Sequence, residues 1–332
     1  MNMCIHSIDY YLPSNVIQTR DMVGATQPER LGFSETLIED LIGIKEVRHA
    51  ASDEKPSTLA TKAAQKALAK FKGNIDDIGA VIFCGIEGDY IEPSTAHIVQ
   101  SKLGLKNAVC FDVSNACLGF MTGISIAAAM LSSGSAKSIL VCTGECPSRV
   151  SKAAIPQLKK LEERSLYFNS IGSLTVGDAG AAAILDCDSG SNRIEGLHFS
   201  SNGKLAELCY YTLENNRPQG QMLMTEISTA ILDAHQKLLP ETLKKSSLQT
   251  KDIDCLITHQ VGKRPWKRHS TLFGVDLSAM TKTFDTLGNV TSATFGVNYS
   301  QALDDKSLNS GKKVVAAMAG SGLSVCQVVL TV

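Results

Sequence analysis

The sequence predicts an α/β protein of five layers, αβαβα, built from two homologous halves. Three observations carry that prediction. Similar blocks recur in the same order about half a chain apart. Short apolar runs bounded by turn residues read as strands covered on both faces. One helix-length segment, Gly119 to Ser132, is apolar all round, and such a helix belongs between layers.

Taken in order, Met1 to Leu12 alternates like a strand. Ser57 to Lys70 is rich in Ala and Lys and starts Ser-Thr, which predicts a helix with Ser57 or Thr58 at its N-cap. Ala80 to Cys84 and Ser138 to Thr143 are buried strands. Between them a β-type run through Phe111 gives way to the small-residue helix at Cys117. Ser148 to Leu174, with a charged amphipathic stretch at Leu158 to Arg164, reads as a lid-like insertion. Leu185 to Ser201, with its Cys-Asp-Ser-Gly-Ser-Asn turn, links the halves. The second half repeats the first: Asp77-Ile78 recurs as Asp252-Ile253, Phe111-Asp112 as Phe284-Asp285, and Ser133-Gly134 as Ser310-Gly311. The offsets are 252 − 77 = 175, 284 − 111 = 173 and 310 − 133 = 177 residues, so one duplication accounts for all three. The halves are expected at 1–187 and 188–332.

Composition narrows the class. Hydrophobic residues make up 44% and charged residues 20% of 332 residues, which suits a soluble globular protein with a large core. A net charge of −1 argues against general nucleic-acid binding. Ten cysteines without a regular framework read as free thiols in a reducing cytoplasm. Cys142 and Cys146 have no Cys/His pair elsewhere to complete a zinc site, so no metal is expected. The N-terminus lacks a secretory-signal layout, and no apolar run reaches membrane-spanning length.

Cys117 stands where a strand meets a helix, in Phe111-Asp-Val-Ser-Asn-Ala-Cys-Leu-Gly-Phe120. The first free N–H groups of that helix and its dipole favour thiolate over thiol. An isolated Cys is more often a small buried apolar residue. The downstream polar islands Thr258-His259-Gln260 and Gly288-Asn289 reverse that preference, because Cys, His and Asn far apart in sequence suit acyl transfer through a thioester. His259 follows Leu256-Ile257-Thr258 and so falls at a strand end, where sites gather in α/β folds.

Asn115-Ala116-Cys117-Leu118-Gly119-Phe120, Gly177-Asp178-Ala179-Gly180, His259-Gln260, Gly288-Asn289 and Gly320-Ser321-Gly322 together resemble the β-ketoacyl-ACP synthase III enzymes of the thiolase superfamily. The resemblance runs from about Ile5 to the C-terminus. It implies a thiolase-like fold and a Cys117 acylated by a thioester donor. It also implies that His259 and Asn289 stabilise the enolate of the second substrate, and that the backbone N–H groups of Cys117 and Ser321 form the oxyanion hole. It implies a homodimer, acyl-CoA or acyl-ACP as substrate, and no tightly bound cofactor.

The chain departs from that family in places. Leu37 and Leu41 stand where the Trp and Arg that grip adenine are usual, and Gly262 stands where an Asn is usual. A basic run follows His259: Lys263, Arg264, Trp266, Lys267, Arg268 and His269. It reads either as a solvated helix start or as a rim for a phosphopantetheine phosphate or an acidic carrier protein. Arg264 matches a family position with that role, and Trp266 packs against the rim. Glu92 replaces a large apolar residue on a loop that in the family crosses the dimer interface. In the branch that joins two acyl thioesters head to head, a Glu from this loop is the base. The leading expectation is therefore Claisen condensation of acyl-Cys117 with a malonyl thioester or a second acyl thioester. The alternatives are non-decarboxylative condensation through Glu92 of the olefin or pyrone type, acyl transfer to oxygen or nitrogen, and an inactive scaffold subunit.

Overall fold

A computed structural model describes residues 3–187, 190, 192–214 and 217–332, with backbone alone for 211–214 and 217–220. The first elements are β1 (Met3–Tyr11), β2 (Asn15–Gln18), α1 (Thr19–Gly24), α2 (Leu37–Leu41) and β3 (Glu46–His49). Then come α3 (Pro56–Lys70), β4 (Ile78–Cys84), α4 (Thr95–Leu103), β5 (Val109–Val113), α5 (Gly119–Ser132) and β6 (Ser138–Glu145). The insertion α6 (Ser148–Leu158) and α7 (Arg164–Ser170) leads to β7 (Ala179–Asp186). The remainder is β8 (Arg193–Ser201), β9 (Cys209–Glu214), β10 (Arg217–Met222), α8 (Met224–Lys245), β11 (Cys255–Thr258) and α9 (Lys263–Phe273). It closes with α10 (Phe284–Leu287), α11 (Thr294–Asp304), β12 (Lys313–Gly320) and β13 (Ser324–Thr331).

Among the described residues the main sheet has the order β11-β12-β13-β8-β1-β7-β6-β4-β5. Two residue pairs, Met3 with Ile194 and Cys4 with Arg193, join β1 to β8. On either side of that seam the strands form separate walls around a middle layer of α5 and α11. Phe120, Met121 and Ile124 of α5 share one apolar cluster with Ile82 and Val141 of the first wall and Ala316 and Val328 of the second. Phe120 meets Phe295 of α11 with ring centroids 6.4 Å apart. An α5 with no polar stripe is thus buried on both sides, as its composition requires. The alanines of α3 pack with α4 on the outer face of the first wall, and Leu239 of α8 and Phe273 of α9 pack on that of the second. The layers run αβαβα, a thiolase-like arrangement.

Some elements differ from the sequence expectation. Pro56, which needs no N–H partner in a first turn, starts α3, so Lys55 is the N-cap. The Ser57 N–H and hydroxyl instead bind Asp89 at 2.8 and 2.7 Å. Most of Leu185–Ser201 is not a linker. β7 runs to Asp186, and β8 pairs along its length with β13, so its backbone groups are used inside the sheet. Of the turn expected at 187–192, residues 188, 189 and 191 lie outside the described residues. Phe284-Asp285 does not repeat the strand of Phe111-Asp112. It starts the short α10, because the Phe284 ring is taken into a different cluster with Ile38, Ile44 and Tyr167. The parallel neighbour of β11 on that side is a single bridge, Leu256 with Met280.

Candidate active site

Cys117 lies at a strained turn between β5 and α5. Ala116, just before it, has φ +45°, a left-handed conformation that costs an Ala about 1–2 kcal/mol. The turn is locked by the Asn115 amide donating to the Thr122 hydroxyl at 2.9 Å, while that hydroxyl donates to the Leu118 carbonyl at 3.1 Å. Gly320 lies against it. A Cβ there would sit 3.0 Å from the Leu118 backbone nitrogen and 3.1 Å from the Asn115 carbonyl oxygen. The missing side chain lets the end of β12 carry Ser321 up to the Cys117 turn.

His259 follows the last residue of β11, and its N–H donates to the Ala317 carbonyl at 3.1 Å. Gln260 braces it: the Gln260 Oε1 accepts from the Thr283 and Phe284 N–H groups at 3.0 and 3.3 Å. Asn289 follows Gly288, whose φ is +66° and where a Cβ would stand 2.4 Å from the Thr175 carbonyl oxygen. Only glycine fits both conditions. The Asn289 N–H donates to that same carbonyl at 2.9 Å, and its Oδ1 accepts from the Thr291 N–H at 2.9 Å. The oxygen is therefore tied down and the Nδ2 group is left as the free donor.

These elements converge on one cavity of about 680 Å³, lined by Cys117, His259, Asn289 and Ser321. Phe168 and Ile171 of the 148–174 insertion close one side, while Ile227 and Ile231 of α8 add apolar wall. The expected insertion thus does cover the cavity, although Leu158–Arg164 is the junction of α6 and α7 rather than a helix face.

The electrostatics correct one expectation. Burial pushes the Cys117 thiol up, reinforced by the Glu145 carboxylate and the Cys209 thiol, and a backbone N–H opposes them more weakly. Desolvation thus works against the thiolate that the helix terminus alone would favour. His259 is shifted the complementary way: burial, then the nearby His269, lowers it to about 4. The imidazole of His259 and the thiol of Cys117 thus line the same cavity with opposite shifts, each towards its neutral form.

Of the binding residues, Arg264 lines the cavity, as do Lys267 and Arg268. Lys263 instead donates to the Asp40 carbonyl. Trp266 donates to the Thr281 carbonyl at 2.9 Å and meets Phe284 edge to face. Gly262 is held by crowding: its φ is +132°, and a Cβ would meet Ile42 at 2.6 Å, which leaves no room for Asn. His269 is not part of the basic rim. It is 3% exposed on the inner face of α9, as one turn of a helix points residues inward as well as outward. Leu37 and Leu41 line the cavity, an apolar surface. Glu92 is exposed on the loop with Tyr90 and Ile91 and is outside the cavity lining of its own chain.

Two groups escaped the sequence reading. Glu145 is 2% exposed at the end of β6, accepts from the Ser292 hydroxyl and the Ile86 N–H, and is pushed up to about 8 by burial. Cys209 lines the cavity beside Ser321. Gly144-Glu145 inside an apolar run was the available signal for the first; nothing local marked the second. No group of three or more His, Cys, Asp or Glu able to hold a metal occurs among the described residues.

Residues 111–203 match the family described as 3-oxoacyl-[acyl-carrier-protein] synthase III, and 243–332 match its C-terminal domain. The beta-ketoacyl-[acyl-carrier-protein] synthase III of Clostridioides difficile is 30% identical over 88% of this chain and 88% of its own length. The acyl-CoA:acyl-CoA alkyltransferase of Xanthomonas campestris is 29% identical over 97% and 96%. Crystal structures of Xanthomonas campestris OleA superpose with a TM-score of 0.93. The one with bound lauric acid and lauroyl-CoA is 26% identical, covering 100% of this chain and 99% of that chain.

Proposed function

This chain belongs to the 3-oxoacyl-[acyl-carrier-protein] synthase III family, and on that premise we propose that Cys117 carries the acyl group while His259 and Asn289 hold the second thioester. The observation that carries this is the single cavity lined by Cys117, His259, Asn289 and Ser321. In the acylation step His259 takes the thiol proton as sulfur attacks the donor carbonyl. The backbone N–H groups of Cys117 and Ser321 meet the developing oxyanion. The donor's thiolate leaves and takes up the proton. A malonyl thioester then loses carbon dioxide, and its enolate oxygen accepts hydrogen bonds from His259 and from Asn289 Nδ2. The enolate carbon attacks the acyl carbonyl, a carbon–carbon bond forms, and the Cys117 sulfur departs to leave a β-ketoacyl thioester.

Arg264, Lys267 and Arg268 are exposed at the mouth and suit the phosphate of an acyl-CoA or of a carrier-protein arm. The test is mass spectrometry of the acyl adduct and product from acyl thioesters, with and without malonyl thioester. Cys117→Ala is expected to abolish the adduct and to lower turnover by roughly 10³-fold or more. An unchanged product rate in that variant defeats the proposal.

A second reading is head-to-head condensation with Glu92 as base, favoured by the likeness to the Xanthomonas campestris alkyltransferase and OleA. Glu92 is exposed beside Ile86, Tyr90 and Ile91, which are 47%, 55% and 107% exposed, an apolar loop tip suited to reach a second copy's cavity. Product formed without malonate and lost in Glu92→Gln selects this reading; a strict malonate requirement rejects it. We read the enzyme as a cytoplasmic homodimer in fatty-acid, related lipid or polyketide synthesis. No described helix is long and apolar enough to cross a membrane. We also read 1–187 and 188–332 as the duplicated halves. The parallel flanking of β4 by β5 and β6, echoed in β11 between Met280 and β12, supports that division.

A further inference from the structure

The buried carboxyl of Glu145 takes no part in the chemistry described so far, and it does not line the cavity. Burying such a group is costly unless its hydrogen bonds are used. Its Oε1 accepts from the Ser292 hydroxyl and, at 3.3 Å, from the Ile86 N–H. Thr143 lies two residues back on the same face of β6 and shares a 2.6 Å hydrogen bond with the Ser292 hydroxyl. Because Ser292 donates to Glu145, Thr143 is the donor to Ser292. All three side chains are sealed from solvent. The strand end that carries them is a rigid mount. Glu145 pairs with Ala179 of β7, and a Cβ on Gly144 would stand 1.9 Å from the Pro56 carbonyl oxygen.

Ser292 closes the turn that carries Asn289. Within that turn Thr291 has φ +49°, a left-handed conformation that a β-branched residue rarely takes. Such a residue persists only where its surroundings over-determine it. Before it, the Asn289 N–H donates to the Thr175 carbonyl at 2.9 Å; after it, Ser292 is tied to β6. The Thr291 N–H, aimed by this conformation, donates to Asn289 Oδ1 at 2.9 Å. The set of the Asn289 amide therefore depends on Thr291, and that of Thr291 on Ser292.

We propose that Glu145 is a positioning residue for Asn289: it anchors Ser292, which holds Thr291 left-handed, so that the Thr291 N–H fixes the Asn289 amide with Nδ2 free. An apolar side chain of similar size would fill the space but leave the buried Ser292 hydroxyl without its acceptor. The sheet supplies the rigidity, and the carboxyl passes it on to a loop. Cys117 and His259 are placed by other contacts, the Asn115–Thr122 lock and the His259 N–H on Ala317. The dependence on Glu145 therefore falls on Asn289.

The inference rests on the reading of Asn289 as a donor to the enolate, so one readout needs no substrate. The test uses the full chain with Glu145→Leu, Glu145→Gln (which keeps an acceptor), Ser292→Ala and Asn289→Ala. Crystal structures report the Asn289 amide. Two rates are measured at pH 6, where the Glu145 carboxyl is neutral. Mass spectrometry follows acylation of Cys117, and product formation follows condensation of the acyl-enzyme with the second thioester. Glu145→Leu is expected to displace the Asn289 amide, to slow condensation about tenfold or more, and to keep acylation within about twofold. Ser292→Ala is expected to behave alike, and Glu145→Gln to stay within about threefold of wild type at both steps. Glu145→Leu added to Asn289→Ala is expected to cost no further condensation, since both act through one group. An unmoved Asn289 amide in Glu145→Leu overturns the proposal. So do equal losses in the Leu and Gln variants, acylation lost in step with condensation, or a further loss in the double variant. If Glu145→Leu does not fold, Ser292→Ala decides by the position of the amide. Wild-type condensation in Asn289→Ala would instead defeat the enolate reading and leave the structures to judge this one.

Discussion

At Cys117 two forces oppose each other, and the buried carboxyl of Glu145 sets when the balance changes. Glu145 is pushed up to about 8, so it is neutral at pH 6 and ionised at pH 9. Once ionised it acts against a thiolate at Cys117. Glu145→Gln is therefore expected to speed alkylation of Cys117 at pH 9 and to leave the rate at pH 6 unchanged. Equal rates at both values would show that the two groups are not coupled. Glutamine keeps an acceptor for the Ser292 hydroxyl, so the comparison isolates the charge.

At the scale of elements, the site depends on chain segments that approach more closely than side chains permit. Gly288 carries Asn289 at φ +66°, against the Thr175 carbonyl. Gly288→Ala adds a left-handed alanine and a 2.4 Å contact, so it is expected to cost about 2–4 kcal/mol and to displace Asn289. Thermal melting and turnover check it together: a lower Tm with most activity lost is expected, whereas a wild-type melting curve would refute the crowding argument. Gly262 and Ile42 show the same logic at the start of α9. There the close approach is bridged by the Lys263 N–H donating to the Ile42 carbonyl at 2.8 Å.

For the whole molecule, burial of neutral histidines ties stability to pH. His235, His259 and His269 are all held below the ordinary 6.5 by desolvation, His259 to about 4. Between about pH 6.5 and 4 the unfolded chain binds protons that the folded chain refuses, so stability is lost as pH falls through that window. The Tm is expected to drop by several degrees from pH 7 to pH 5, less steeply in His269→Gln; a flat profile contradicts the burial of neutral rings. The molecule also leaves β5 as a sheet edge with Val109 62% exposed, and the neighbouring loop exposes Ile91. Analytical ultracentrifugation is expected to give a dimer for wild type and monomer for Ile91→Glu combined with Val109→Glu. A monomeric wild type counts against the second-copy role of Glu92.

The layered architecture and the helical or strand character of the Gly119–Ser132 and Ala80–Cys84 segments were legible in the sequence, because periodicity reports which faces are buried. Cys117, His259 and Asn289 were singled out as candidates from strand-to-helix context and order in the chain, and the fold brings the three to one cavity. Only the tertiary structure shows the burial that opposes ionisation of Cys117, since desolvation depends on what surrounds a group and not on its neighbours in the chain. It also decided that His269 faces inward while Arg264 and Arg268 face out, that Glu145 is buried at the end of β6, and that Arg193–Ser201 is a strand inside the sheet. Each of these depends on packing between segments remote in sequence, and no local pattern encodes it.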